Sequence, residues 1–374
     1  MKSSFRLGRI AGIEIGVHYS WILAFILIAW SLAQGFFPQY YPGWDLVIYW
    51  VTGILAALFL FVSVLVHELA HSLVAISRGL PVRSITLFIF GGVSNIEREP
   101  ERPRVEFVVA VVGPIASLAL AGLFWGLQQV VGEQGSPLTA FLGYLALINA
   151  LLAGFNLLPG FPLDGGRMLR SILWSTTGNL TRATNIAAMV GRLFGWGLIG
   201  FGVFQLLAGN FLGGLWIAFI GWFLSSAADA SRREVTLREH LRGVRVKDVM
   251  DQSPEIISSQ TSVEEVVRDV FLQRHRRAAA VYQGDQLVGI VTIADIKGQP
   301  RQKWSQTPVG EIVTRQPLYS VGMDDDMNSA LRLLAQHDLN QLLVLEEGRL
   351  VGFLNRADII RYLQLSQELG VESS

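Results

Sequence analysis

The chain has 374 residues, equal numbers of basic and acidic side chains (30 each) and no cysteine. Disulfides and thiol metal ligands are excluded, and the zero net charge gives no basis for a polyelectrolyte partner such as nucleic acid. Hydrophobic residues make up 51%, charged residues only 16%, and the mean hydropathy of +0.42 is high for a soluble protein. The average conceals a division, because apolar runs dominate from about Ile15 to Leu224 and the chain is charged and mixed from about Arg232 onward.

A helix needs roughly 20 apolar residues to cross a bilayer. Six segments qualify, at 17–36, 47–76, 105–131, 137–158, 184–208 and 211–228. No small-residue cleavage pattern follows the first, which reads as a retained helix and not a signal peptide. Lys2, Arg6 and Arg9 precede the first segment. Arg78, Arg83, Arg98, Arg102 and Arg104 lie between the second and third. Arg167, Arg170 and Arg182 lie between the fourth and fifth, and Arg232, Arg233 and Arg238 follow the sixth. The intervening turns carry no Lys or Arg. Basic loops mark the cytoplasmic side, so both termini are expected there. Segment 84–95 is apolar but too short to span. Its β-branched and aromatic residues predict a strand or hairpin ending at Gly91-Gly92, held at the interface or sheltered by protein.

His67-Glu68-Leu69-Ala70-His71 places two imidazoles four residues apart in the second segment, on one helix face. Both can reach one ion, and Glu68 beside them can accept a proton from water. Zinc suits such a nitrogen and oxygen donor set. Polar groups inside a bilayer helix are costly and need a partner. The best candidate for a third ligand is Asp164, in Asn156-Leu-Leu-Pro159-Gly-Phe-Pro162-Leu-Asp164-Gly-Gly, a stiff turn able to aim a carboxylate back at the bundle. The alternative is an Asp that caps the following helix. His18, beside Tyr19 and Trp21, reads first as an interfacial or structural residue, with approach to the metal or gating of it as the alternative, and Asn149 reads as a hydrogen-bonding residue within the bundle.

The pairing of His67-Glu68-x-x-His71 with a distal Asn156-x-x-Pro159 and Leu163-Asp164-Gly165 resembles the site-2 protease family of intramembrane metalloproteases, over about residues 10–225. That resemblance implies Zn²⁺ held by His67, His71 and Asp164, with Glu68 as the catalytic acid–base. It also implies a substrate cleft shaped by Asn156, Pro159 and the Gly91-Gly92 element. The 92 residues between His71 and Asp164 leave no room for the peptide-binding domain that some branches insert.

After a linker at 229–243, Leu-Val-Gly-x-x-x-x-x-Asp-Ile occurs at Leu287 and again at Leu350, a 63-residue period that marks a repeated small domain. The repeats, 244–300 and 301–366 before a tail at 367–374, resemble a tandem pair of CBS (cystathionine-β-synthase type) domains. That resemblance implies an α/β module able to bind ATP or AMP and to pair two copies of the chain, with Thr292, Asp295 and Asp358 at nucleotide-contacting positions. Asn355 stands where the first repeat has Thr292. Without a ligand, each Asp reads as a cap of the helix that follows.

The expected fold is therefore a six-helix membrane domain (1–228) with a small interfacial β element, followed by a cytoplasmic tandem CBS module. The expected function is a zinc endopeptidase of a bacterial or archaeal cell membrane that cuts membrane-anchored proteins. An inactive scaffold would lack part of His67, Glu68, His71 and Asp164, and a CBS-regulated transporter would more naturally show an inverted repeat.

Overall fold

The computed structural model describes residues 5–96, 100–132, 135–314 and 318–369. The chain divides into two compact units, Met1–Val235 and Thr236–Ser374.

Helices dominate the first unit. α1 (Ser20–Ser31), a π turn (Leu32–Phe36) and α2 (Phe37–Tyr40) run on as one span, and the wider turn falls just before Pro38, which cannot supply a helix-interior N–H. α3 (Leu46–Ser77) is 32 residues long, or ~48 Å at 1.5 Å per residue, which exceeds the ~30 Å hydrocarbon core. α4 (Pro103–Val131) and α5 (Pro137–Asn156) both start with proline at the first helical position, where no N–H is needed. α6 (Asp164–Thr177), α7 (Leu180–Leu207) and α8 (Phe211–His240) follow.

Five segments among the described residues are long and apolar enough to cross a membrane, not the six expected. They are Ser20–Tyr40, Leu46–Ser77, Pro103–Val131, Pro137–Asn156 and Leu180–Leu207. α8 does form over the sixth expected segment. Its apolar stretch is short, however, and runs without a break into Asp229, Arg232 and Arg233, so length and composition do not single it out. α6 lies in what reads from sequence as a loop.

β1 (Phe5–Ile10) and β2 (Ile13–Val17) form an antiparallel hairpin. Its turn, Ala11–Gly12, has positive φ at both positions (51° and 82°), which matches the twist of the flanking strands. β3 (Val82–Phe88) adds parallel to β2, and β4 (Gly91–Ile96) returns antiparallel, giving the order β1-β2-β3-β4. A hairpin thus occupies the 84–95 segment, but its turn falls at Ile89–Phe90. Phe88 pairs with Gly91, so Gly91 and Gly92 open the second strand and do not end the first. One face of the sheet is apolar and packs on α3. Ile13, Ile15 and Ile85 meet Leu65 and Leu69, while Val17 and Leu87 meet Val64. β4 lies at the end of the sheet with one edge unpaired among the described residues.

The second unit contains two alike halves. In one, β5 (Ile256–Ser258) pairs parallel with β6 (Ala278–Gln283), which pairs antiparallel with β7 (Gln286–Thr292). α9 (Val263–Glu265) leads into a π-helical stretch (Val266–Gln273), and α10 (Ile293–Lys297) and α11 (Val309–Ile312) follow the strands. In the other, β8 (Ser320–Gly322), β9 (Gln341–Glu346) and β10 (Arg349–Asn355) repeat the pairing, with α12 (Met327–Gln336) and α13 (Arg356–Leu369). Ala278, Ala280 and Ile290 of one sheet share a core with Leu343 and Phe353 of the other.

Each half borrows the other's leading segment. Asp251 bridges to Phe353, and Thr314 bridges to Ile290. A methyl on Gly352 would lie 2.6 Å from Asp251 O, and one on Gly289 would lie 2.3 Å from Thr314 O. The glycine of the repeated Leu-Val-Gly therefore makes room for the partner segment's backbone. Lys247 and Arg245, on the first leading segment, each reach Asp324 Oδ1 at 2.8 Å, and they hold that exposed carboxyl below the usual carboxylate range.

Candidate metal centre

His67 and His71 leave α3 on one face because they are four residues apart. Their Nε2 atoms are 3.2 Å apart, and Asp164 Oδ2 lies 3.1 Å from each. All three residues are buried. Donors ~2.0–2.1 Å from a tetrahedral ion stand ~3.3 Å from one another. The three atoms therefore already converge on a point of that size, and they are the group of residues able to hold a metal among those described.

The surroundings fit the same reading. His71 Nδ1 lies 2.6 Å from Val109 O, and a carbonyl can only accept, so Nδ1 carries the proton and Nε2 is the ring nitrogen turned toward the cluster. His67 Nδ1 lies 2.9 Å from Ser117 Oγ, which fixes the second ring. Gly113, between these two residues on α4, leaves the space in front of both rings open. A methyl there would sit 2.1 Å from His71 Nε2 and 2.7 Å from His67 Nε2.

Asp164 comes to the rings through the turn that ends α5. The chain leaves the helix at Asn156, passes Pro159, Gly160 and a cis Phe161–Pro162 bond, and re-enters helix at Asp164. Leu163, in extended backbone, is the N-cap. Asp164 is therefore the first helical residue, and its carboxylate serves the histidines, not the cap. Gly165 and Gly166 let the turn lie on the first turn of α6, since methyls there would come within 2.3 Å of Leu157 O and of the Gly160 carbonyl carbon. Further along α6, Arg170 Nε donates to Glu106 Oε1 of α4 at 2.7 Å, and its Nη2 meets the same oxygen. The Arg170 guanidinium also lies over the Phe161 ring, 5.0 Å from its centroid. This buried pair ties the helix that bears Asp164 to the helix that buttresses both histidines.

Glu68 stands next to His67 and reaches β4. Ser94 Oγ donates to Glu68 Oε2 at 2.7 Å, and Ser72 Oγ donates to Ser94 Oγ at 3.1 Å. The Glu68 side chain crosses Gly92 so closely that a methyl there would lie 2.5 Å from Glu68 Cγ.

The other residues singled out from sequence are placed as follows. Gly92 touches the Glu68 side chain, and Gly91 precedes it at the strand start. Asn156 Nδ2 donates back to Leu152 O at 3.0 Å, a local bond within α5, and Pro159 lies in the turn. His18 stands apart from the cluster, with Nδ1 2.8 Å from Ser20 Oγ and its ring against Tyr19. Asn149 Nδ2 donates across the bundle to Ser63 Oγ at 3.0 Å. Ser117, Gly113, Ser94 and the Glu106–Arg170 pair escape sequence reading. Their one visible trace is a charged residue and a Gly-Pro pair within apolar runs.

In the second unit, Thr292 N and Oγ1 both donate to Asp295 Oδ2 at 2.7 Å, and Thr314 Oγ1 donates to Asp295 Oδ1 at 3.0 Å. Asn355 Nδ2 donates to Asp358 Oδ2 at 2.7 Å. Each Asp thus closes the start of its own helix. A cleft of about 520 Å³ is lined by Asn355, Asp358, Arg276, Arg277, Arg361 and Tyr362, among others. Thr292 and Asp295 are not among its lining residues.

Comparison with known proteins agrees with both units. Peptidase family M50 matches residues 55–135 and 128–198, and the CBS domain matches 246–299 and 309–365. A Synechocystis relative provisionally named as a zinc metalloprotease is 38% identical over 98% of this chain and 97% of its own. A zinc metalloprotease of Methanocaldococcus jannaschii is 31% identical over 99% of both chains. A solved site-2 protease from Methanocaldococcus jannaschii is 30% identical over 61% of this chain and 95% of its own, at a TM-score of 0.44. With its buried His-His-Asp cluster and its full-length kinship, the chain belongs to Peptidase family M50, the site-2 protease family of membrane metalloendopeptidases, in the form that carries a CBS domain pair.

Proposed function

We propose that the chain cuts membrane-anchored proteins near the cytoplasmic side, with His67, His71 and Asp164 holding zinc and Glu68 as the catalytic acid–base. The observation that carries this reading is the convergence of three buried donor atoms, 3.1–3.2 Å apart, at a helix whose next residue is a carboxylate. When bound, zinc supplies a Lewis acid that polarises a peptide carbonyl and lowers the pKa of water toward ~7. Val109 O and Ser117 keep the rings turned toward the ion. Glu68 accepts a proton from the attacking water and returns it to the leaving amine nitrogen. A transmembrane helix hides its carbonyls in its own hydrogen bonds, so the substrate must unwind. The unpaired edge of β4, opened by Gly91 and Gly92, offers backbone groups to such an extended segment. Asn156 and Pro159 end α5 at the turn that delivers Asp164, and so shape the opposite side of the cleft.

Full-length Glu68→Gln protein should keep its zinc and lose cleavage of labelled casein by at least ~10³-fold, a loss typical of removing an essential acid–base. Cleavage near the parent rate would refute the reading.

In this proposal the catalytic part ends near residue 228, and the linker 229–243 leads to a regulatory CBS pair at 244–366. α8 makes a sixth crossing, so that both termini and the CBS pair face the cytoplasm, as the alternation of arginines requires. The chain's lack of cysteine permits single-cysteine labelling at Ser3 and at Gln364. Opposite accessibility of the two in sealed cells would exclude a sixth crossing. The cleft beside Asp358 takes an adenine nucleotide such as ATP or AMP, with the arginines meeting phosphate and the aspartate the ribose, and the pair joins two copies of the chain. Asp358→Ala should abolish nucleotide binding in calorimetry of the full chain, and Asp295→Ala should leave it within about twofold. The reverse order would place the ligand elsewhere.

A further inference from the structure

Glu68 stands on α3 beside His67, a residue of the metal centre. Here its hydrogen-bond partner lies on another element altogether. Among the described residues, Ser94 is the group that donates to Glu68, and Ser94 is on β4, the outermost strand of the sheet. Ser72 is fully buried on α3, four residues beyond Glu68, and its hydroxyl donates to Ser94 Oγ. That bond fills an acceptor site on Ser94 and leaves the Ser94 proton for Glu68 Oε2 at 2.7 Å. The Glu68 side chain passes over Gly92, where a methyl would come within 2.5 Å of its Cγ, so the missing side chain gives Glu68 its path to Ser94. Oε2 is thus occupied by Ser94 and Oε1 is left for water. A glutamate on a helix otherwise has three side-chain torsions to explore.

We infer that Ser94 is a positioning residue for Glu68, oriented by Ser72, and that strand β4 fixes which carboxylate oxygen is free to take the proton. This rests on the proposed role of Glu68. A segment that pairs with the β4 edge acts on the strand that carries Ser94, so substrate capture and the aim of the base are mechanically joined. Nothing in the inference requires Ser94 to touch the substrate or the metal.

The test uses the full chain in detergent micelles with fluorescein-labelled casein as substrate. Ser94→Ala should lower kcat about 10–100-fold, leave KM within about twofold, and leave zinc content unchanged. Ser94→Thr keeps the hydroxyl and should restore most of kcat. Ser72→Ala should cost only a few-fold, because Ser94 can still donate. A hydroxamate probe, whose N–H and O–H groups need an acceptor beside the metal, should bind Ser94→Ala more weakly and Ser94→Thr as the parent. Parent-like kcat and probe affinity in Ser94→Ala would overturn the inference. So would a loss confined to KM, or a Ser94→Thr protein as impaired as Ser94→Ala with its zinc intact. If Glu68→Gln is inactive while Ser94→Ala is normal, only the positioning role falls. If Glu68→Gln is active, the proposed function falls with it.

Discussion

The metal centre and the CBS repeats both place aspartates at helix starts, yet they use them differently. Asp164 begins α6 but spends its carboxylate on His67 and His71, 97 and 93 residues away in the chain. Asp358 spends its own on Asn355, three residues back, and Asp295 gives one oxygen to Thr292 and the other to Thr314. The first site joins a local feature, two histidines one helix turn apart on α3, to a carboxylate that tertiary packing brings from far along the chain. The second keeps its acids in local caps, and a ligand there must compete with a capping bond. A fully aimed site should fail abruptly when its surroundings change, and a locally capped one should fail gradually.

The largest effect that would break this contrast is at Gly113. Gly113→Ala puts a methyl against both Nε2 atoms. Zinc affinity should fall by 100-fold or more, beyond the ~10–100-fold typical of losing an outer-shell partner. Zinc retained after mild chelation would show the rings to be more adaptable than their packing indicates.

Next comes the buried ion pair. Arg170→Met takes the guanidinium away from Glu106, a carboxylate at 1% exposure, which should cost ~3–5 kcal/mol of stability. The loss should appear as a lower midpoint for the membrane unit in thermal unfolding, with the CBS transition unmoved. Adding Glu106→Leu should recover most of it. If Arg170→Met instead unfolds as the parent, the pair does not hold α6 to α4.

The smallest effect belongs to the CBS module. Lys247 and Arg245 depress the carboxyl of Asp324, so its stabilising contribution is complete above the unfolded value, about 4, and is lost as pH falls below that. Asp324→Asn should therefore lower the CBS unfolding midpoint slightly at pH 7, less so in high salt, and by a smaller amount at pH 3. An equal shift at both pH values would assign the effect to packing.

These contrasts track what sequence could disclose. His67 and His71 are legible because four residues make one helix turn, and Asp164 because prolines and glycines announce a turn that must point somewhere. Gly113 and Ser117 are illegible, since a glycine or serine in an apolar helix looks the same whether it faces lipid or an imidazole. β1 and β2 are hidden because Arg6, Arg9 and Glu14 break the apolar signal, and the pairing of β2 with β3 depends on a partner 70 residues away in the chain, as in Glu14 with Ser84. α6 is hidden because its Gly165-Gly166 start reads as loop until Leu157 and Gly160 are seen lying upon it. The hairpin turn was shifted because paired glycines suggest a bend, whereas Gly92 is needed for the passage of Glu68.

The swapped leading segments of the CBS halves have a practical consequence. A gene fragment cut between residues 300 and 301 would strip Thr314 from the sheet edge it completes at Ile290, and Asp251 from Phe353. Neither product would have a closed set of backbone bonds. The two halves are interlocked, so a change that loosens one is felt at once by the other, and the pair responds as a single body.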